Sequence, residues 1–77
     1  MLLKKSIYQS KHRGCKEMDI ILGNFAEKKC IKMTSQELEL YLELLQENDV
    51  DIYNWMLGES CHEKYTKLIM EIKKSIS

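Results

Sequence analysis

The sequence predicts an all-α domain, a compact bundle of five helices spanning residues 1–77, and three observations carry that prediction. Proline is absent and glycine occurs only three times, so little in the chain breaks helical backbone. Apolar residues recur at i, i+3, i+4 and i+7 in successive segments. No stretch alternates with period two for long enough to make a strand, and no internal repeat or low-complexity tract is present.

The first segment, LLKKSIYQSKHR, sets Leu3 and Ile7 four apart with Tyr8 alongside, a narrow apolar stripe on a basic helix that Gly14 should end. From Cys15 the pattern resumes with Met18, Ile21, Leu22, Phe25 and Ala26 and should run to about Cys30. Glu17 and Asp19 fall in its first turn, where carboxylates suit the helix dipole. MTSQEL then combines a Thr34 cap, Glu37 as the reciprocal partner, and Met33 with Leu38 as a hydrophobic staple. The helix it opens carries Leu38, Tyr41, Leu42 and Leu45 on one face, widened by Leu40 and Leu44, until Asn48 and Asp49 interrupt it. Asp49 or Asp51 caps DIYNWMLG, in which Ile52, Trp55 and Met56 share a face and Gly58 takes the left-handed C-terminal position. SCHE offers a second capping box, Ser60 with Glu63, ahead of Tyr65, Leu68, Ile69, Ile72 and Ile76. Phe25 and Trp55 are assigned to the core because each lies on its helix's apolar stripe.

A chain this short buries about 60 to 65% of its unfolded surface, which allows one modest core and no deep pocket, and argues against a self-sufficient enzyme. No apolar run approaches the roughly 18 residues a membrane span needs. The net charge of zero hides an asymmetry. Residues 1 to 16 carry Lys4, Lys5, Lys11, Arg13 and Lys16 without an acid, whereas residues 33 to 63 carry Glu37, Glu39, Glu43, Glu47, Asp49, Asp51, Glu59 and Glu63 without a Lys or Arg. The basic start runs into the next helix without a linker or a small-residue cleavage site and is read as part of the fold, not as a targeting peptide. An odd cysteine count without CxxC points to a reducing compartment.

Candidate chemistry is sparse. His12, Cys15, Cys61 and His62 offer four possible metal ligands, but their spacing fits no zinc pattern, and neighbouring residues on a helix point about 100° apart. Cys15 and Cys30 are therefore read as small apolar packers, and His12 and His62 as surface or helix-end residues. No orienting group supports a Cys–His nucleophile. The basic face lacks interleaved aromatics and a helix-turn-helix signature, so nucleic acid is the alternative reading and not the preferred one.

Residues 12 to 17, HRGCKE, are harder to reduce to packing. In an unbroken helix, Arg13 and Glu17 would gain only about 0.2 to 0.5 kcal/mol as an i, i+4 pair, while the glycine between them would cost about 1 kcal/mol relative to alanine. The glycine outweighs the pair and the helix should break at Gly14. The break leaves a side-chain-free spot flanked by a cation and a carboxylate, either a joint or a place where another backbone or a ligand comes close.

The stretch RGCKEMDIILGNFA followed by TSQELELYLELLQENDVDIYNWMLG resembles the small succinate dehydrogenase assembly factor family, also called the flavinator family, whose members share an RGxxE motif. Arg13, Gly14, Glu17, Asp19, Leu22, Gly23 and Phe25 match, then Leu38, Leu45, Asp49, Asp51, Trp55 and Gly58, over about residues 6 to 58. RGxxExDxxLGxF joined to DxDxxxWxxG in so short a chain is specific. Cys15, Met18, Ile52 and Met56 depart conservatively from the usual residues.

The resemblance implies a five-helix monomer with no catalytic apparatus and no stably bound cofactor. It implies binding to the flavoprotein subunit of succinate dehydrogenase, or of fumarate reductase, and promotion of covalent FAD attachment to a histidine of that partner. Partner contact would fall to Arg13, Gly14 and Glu17, with His12, Lys16 and Asp19 alongside, all at the surface. No glycine-rich phosphate loop is present for holding flavin in isolation. With no transit peptide read at the start of the chain, the expected location is the cytoplasm of a bacterium.

Overall fold

The computed structural model describes residues 2–76. Helix α1 spans Leu2–Lys11, α2 Lys16–Lys29, α3 Ser35–Leu44, α4 Asp49–Met56 and α5 Thr66–Ile76, with single 3-10 turns at Cys30–Lys32 and Glu63–Tyr65. Helix α1 lies mainly on α2 and then on α3, while α5 packs on α2 and α4. The Cα radius of gyration is 11.1 Å, close to the ~11.5 Å scaling expectation for this length.

The apolar stripes of four helices meet in one core of Met18, Leu22, Phe25 and Ala26 from α2, Leu38, Tyr41 and Leu44 from α3, Ile52 and Met56 from α4, and Leu68, Ile69 and Ile72 from α5. Cys30, Leu45 and Tyr65 complete it from the connections. Cys30 behaves as the packer the sequence suggests, and burial pushes its thiol up to about 11. Cys15 does not pack: it is exposed in the α1–α2 turn, because the helix begins one residue after it.

The first helix differs from its periodicity. Its fully buried residues are Ser6 and Ser10, with Leu3 and Ile7 partly buried and Tyr8 turned to solvent. Small side chains let this helix approach its neighbours, and each hydroxyl satisfies itself by donating to the carbonyl four residues back, Leu2 and Ser6 respectively, at 2.7 Å. Ser10 Oγ also meets the Tyr41 hydroxyl at 2.6 Å, so the phenol that reaches the core is paired. Gly23 serves the same seam: a Cβ there would stand 3.1 Å from Lys11 Cγ, whose stem crosses the glycine before its ammonium pairs with Glu27.

Two helix ends form as read. Thr34 accepts from the Glu37 amide at 3.2 Å and its own amide donates to Glu37 Oε1 at 2.9 Å, closing the capping box. The bonds from Thr34 hold the Glu37 carboxyl below its ordinary value, so this contribution is present above the unfolded pKa and fades as pH falls through the folded one. Thr34→Ala should cost about 1 kcal/mol, and a thermal melt lowered by about 4 to 8 °C checks it. At the end of α4, Gly58 has φ +116°. Its amide donates to Trp55 O at 3.2 Å and that of Glu59 to Asn54 O at 3.1 Å, a complete Schellman motif.

Three local expectations are corrected. The Ser60–Glu63 box does not form: the chain enters α5 through a 3-10 turn, in which the Tyr65 amide donates to His62 O at 2.9 Å, as Tyr65 is drawn into the core. Asn48 occupies the N-cap position of α4 without a side-chain bond, and the Asp49 carboxylate is engaged elsewhere. Trp55 is only partly buried, its ring centroid 5.9 Å from that of Tyr65, which takes the interior place the sequence gives the tryptophan. Trp55→Ala should therefore cost about 1 to 2 kcal/mol, below the 3 to 5 of a fully buried aromatic. A urea midpoint shifted by the full buried amount would contradict this.

Candidate partner-docking site

Residues 12 to 15 of HRGCKE form the turn between α1 and α2 and its last two open α2, and Gly14 makes the turn possible with φ +90°. A side chain in that conformation is strained, yet a Cβ at Gly14 would have nothing within 4 Å. The glycine is required by its own backbone and faces open space.

Arg13 is the residue whose position departs most from expectation. Its side chain is 10% exposed and turned inward. Nε donates to Asp49 Oδ1 at 2.7 Å, Nη2 to Glu47 O at 2.8 Å, and Nη1 to Leu45 O. Leu45 and Glu47 follow the last turn of α3, where carbonyls lack intrahelical donors and attract a cation. The planar guanidinium meets two such carbonyls and the carboxylate that opens α4, a geometry its fork of donors suits and an ammonium does not. Arg13 thus ties the α1–α2 turn to the α3–α4 turn and joins the two halves of the motif, 36 residues apart. Nothing in local periodicity signals such a pair. The surface position expected for Arg13 is corrected accordingly.

Asp19 is also turned to its own chain, accepting from the Arg13 amide at 2.6 Å from a half-buried position. That bond fixes Arg13 over the start of α2, where the Asp19 amide in turn donates to Cys15 O at 2.8 Å. With Arg13 and Asp19 held behind it, the outer face of the turn consists of Gly14, Cys15, Lys16 and Glu17, all exposed. Glu17 makes no hydrogen bond or ion pair among the described residues. His12 is exposed beside them, its ring stacked on Tyr8 with centroids 4.3 Å apart.

The basic end is smaller than the sequence suggests. Of its five cations, Lys11 is paired with Glu27 and Arg13 is folded inward, leaving Lys4, Lys5 and Lys16 exposed. Among the described residues, no three of His, Cys, Asp and Glu stand together as metal ligands would, and no helix is long and apolar enough to cross a membrane.

Residues 4–76 match the family model described as the flavinator of succinate dehydrogenase. A relative from Dictyostelium discoideum, named succinate dehydrogenase assembly factor 2, mitochondrial, is 50% identical over 59 residues, 77% of this chain and 42% of that protein. A relative of the same name from Saccharomyces cerevisiae is 53% identical over 49 residues, 64% of this chain and 30% of that protein. One from Aspergillus terreus is 40% identical over 57 residues, 74% of this chain and 19% of that protein. The chain therefore spans less than half the length of these curated relatives. No solved structure matches it. The expected bacterial cytoplasmic location is overturned by these matches, since the relatives are named mitochondrial. With nearly its whole length matched, this chain belongs to the succinate dehydrogenase flavinator family.

Proposed function

We propose that the chain binds the flavoprotein subunit of succinate dehydrogenase as a monomer and promotes covalent attachment of FAD to it, working in mitochondria as its relatives' names state for them. The observation that carries this reading is the match of residues 4–76 to the flavinator family, and the geometry of the α1–α2 turn supports it. Gly14 offers the partner a close approach, Glu17 offers a carboxylate that has no partner among the described residues, and Lys16 and His12 stand at the edge. Arg13 and Asp19 serve the same surface from behind, by fixing the turn that presents it. The bond-forming chemistry belongs to the flavoprotein, this chain acts as an assembly factor and not an enzyme, and it holds no flavin stably by itself. The flavoprotein of fumarate reductase is a further client on the same terms.

Co-expression with the succinate dehydrogenase flavoprotein, capture on the tagged small chain and in-gel flavin fluorescence after denaturation test the proposal. The expected result is co-purification, with covalent fluorescence that depends on the small chain. Fluorescence independent of it would overturn the reading, as would flavin that stays on the isolated small chain through gel filtration.

A further inference from the structure

Helix α4 is apolar on two sides. Ile52 and Met56 point into the core, while Val50, Tyr53 and Leu57, at i, i+3 and i+7, form a second stripe facing outward. Val50 and Leu57 are each 68% exposed. An amphipathic surface helix is expected to be polar on its outer side, so a second apolar stripe requires its own explanation.

The stripe borders two adjoining clefts. One, of about 210 Å³, lies between the start of α2 and α4, and its walls include Cys15, Glu17, Val50 and Tyr53. The other, of about 340 Å³, continues between α2, α4 and α5, where Ile21, Met56, Leu57 and Ile76 join Glu17 and Tyr53, together with Lys73, a cation that is already engaged. Glu17 and Tyr53 line both. The apolar clefts are therefore continuous with the exposed face of the Gly14 turn, and Glu17, a carboxylate without a partner among the described residues, stands where they meet. The segment that supplies α4, residues 33 to 63, contains no Lys or Arg.

We infer that this α2–α4–α5 groove is part of the flavoprotein docking surface, and that it takes a partner segment whose apolar side chains fill the clefts while an adjacent Arg or Lys pairs with Glu17. The inference rests on the functional reading above and extends it from the turn to α4. Continuity with the turn selects the occupant, because a partner lying over Gly14 and Glu17 also covers the clefts that Glu17 lines. Charge complementarity selects the chemistry. A carboxylate desolvated beside apolar walls is stabilised by a cation, and a neutral or acidic segment would leave it unpaired.

The test measures affinity for the purified flavoprotein subunit and the thermal melt of each variant. Val50→Lys and Leu57→Lys should each weaken capture by about tenfold or more, whereas Ile31→Lys, at an exposed apolar position that lines neither cleft, should stay within about twofold. Leu57→Lys keeps the test decisive if Val50→Lys lowers the melt, since a cation is favourable at the C-terminal end of α4 and unfavourable at its start. Glu17→Gln should weaken capture and flatten its dependence on salt, which identifies the partner's cation. If the wild-type chain captures no flavoprotein, the functional reading falls and takes this inference with it. If it captures the flavoprotein and both α4 variants do so equally well, the inference alone is overturned. Elution of the chain as a dimer that Leu57→Lys dissociates would also overturn it, by making a second copy the occupant.

Discussion

Arg13→Ala is expected to lower the unfolding free energy by about 2 to 4 kcal/mol, a large share of what a domain of this size possesses. The guanidinium makes three hydrogen bonds, to Asp49, Glu47 and Leu45. Hydrogen bonds to a charged group contribute about 1.5 to 3 kcal/mol each when measured singly, and they do not add fully. Breaking a fully buried ion pair costs about 3 to 5 kcal/mol. With side chains 10% and 21% exposed, the Arg13–Asp49 pair is partly screened and falls somewhat below that. A melt lowered by about 8 to 30 °C is the direct readout. Arg13→Lys should recover less than half, because one ammonium cannot reach the carboxylate and both carbonyls together. Asp49→Asn combined with Arg13→Ala should cost less than the two separately, the signature of a shared contact. Loss of flavoprotein capture should track loss of stability across these variants. An Arg13→Ala chain that melts like the wild type but fails to capture would make Arg13 a direct partner contact and overturn the tie.

That contact marks the boundary of what the sequence makes legible. Features written in a few adjacent residues were readable: the Thr34–Glu37 box, the Gly58 terminus and the apolar stripes of α2 to α5 formed where periodicity and capping chemistry place them, except that Trp55 is only partly buried and Ile76 is exposed. Contacts decided across the fold were not. Arg13 has Glu17 at i+4 and finds Asp49 instead, because the carbonyls at the end of α3 offer a site that no local pattern records. Ser6 and Ser10 carry no signal in the apolar periodicity of α1, yet they are what the crowded seam against α2 and α3 requires, with Tyr41 meeting the second hydroxyl. The Ser60 box competes with the burial of Tyr65, and burial wins because an exposed cap contributes about 1 kcal/mol and a buried aromatic several times more. The site was legible to the same extent. The motif locates the turn, but which of its side chains face outward depends on Arg13 and Asp19 being engaged behind it.

Gly14→Arg is expected to abolish covalent flavinylation of the partner while leaving a folded domain. In the free chain the cost is conformational. With φ +90° an L-residue is strained by about 1 to 2 kcal/mol, but its side chain meets nothing within 4 Å and extends into solvent. Gly14→Ala carries the same backbone strain without the length, and so separates strain from bulk. Both variants should show similarly lowered melts, by about 5 to 15 °C. Their capture of flavoprotein should diverge: Gly14→Ala within about tenfold of wild type, Gly14→Arg weaker by about a hundredfold or more, since a long charged side chain at the point of closest approach blocks docking and buries an unpaired charge. Equal capture by the two would mean that no partner surface comes close to residue 14, and the functional role of the turn would reduce to connecting α1 with α2. A Gly14→Arg chain that folds, captures and flavinylates like the wild type would remove the turn from the docking surface altogether.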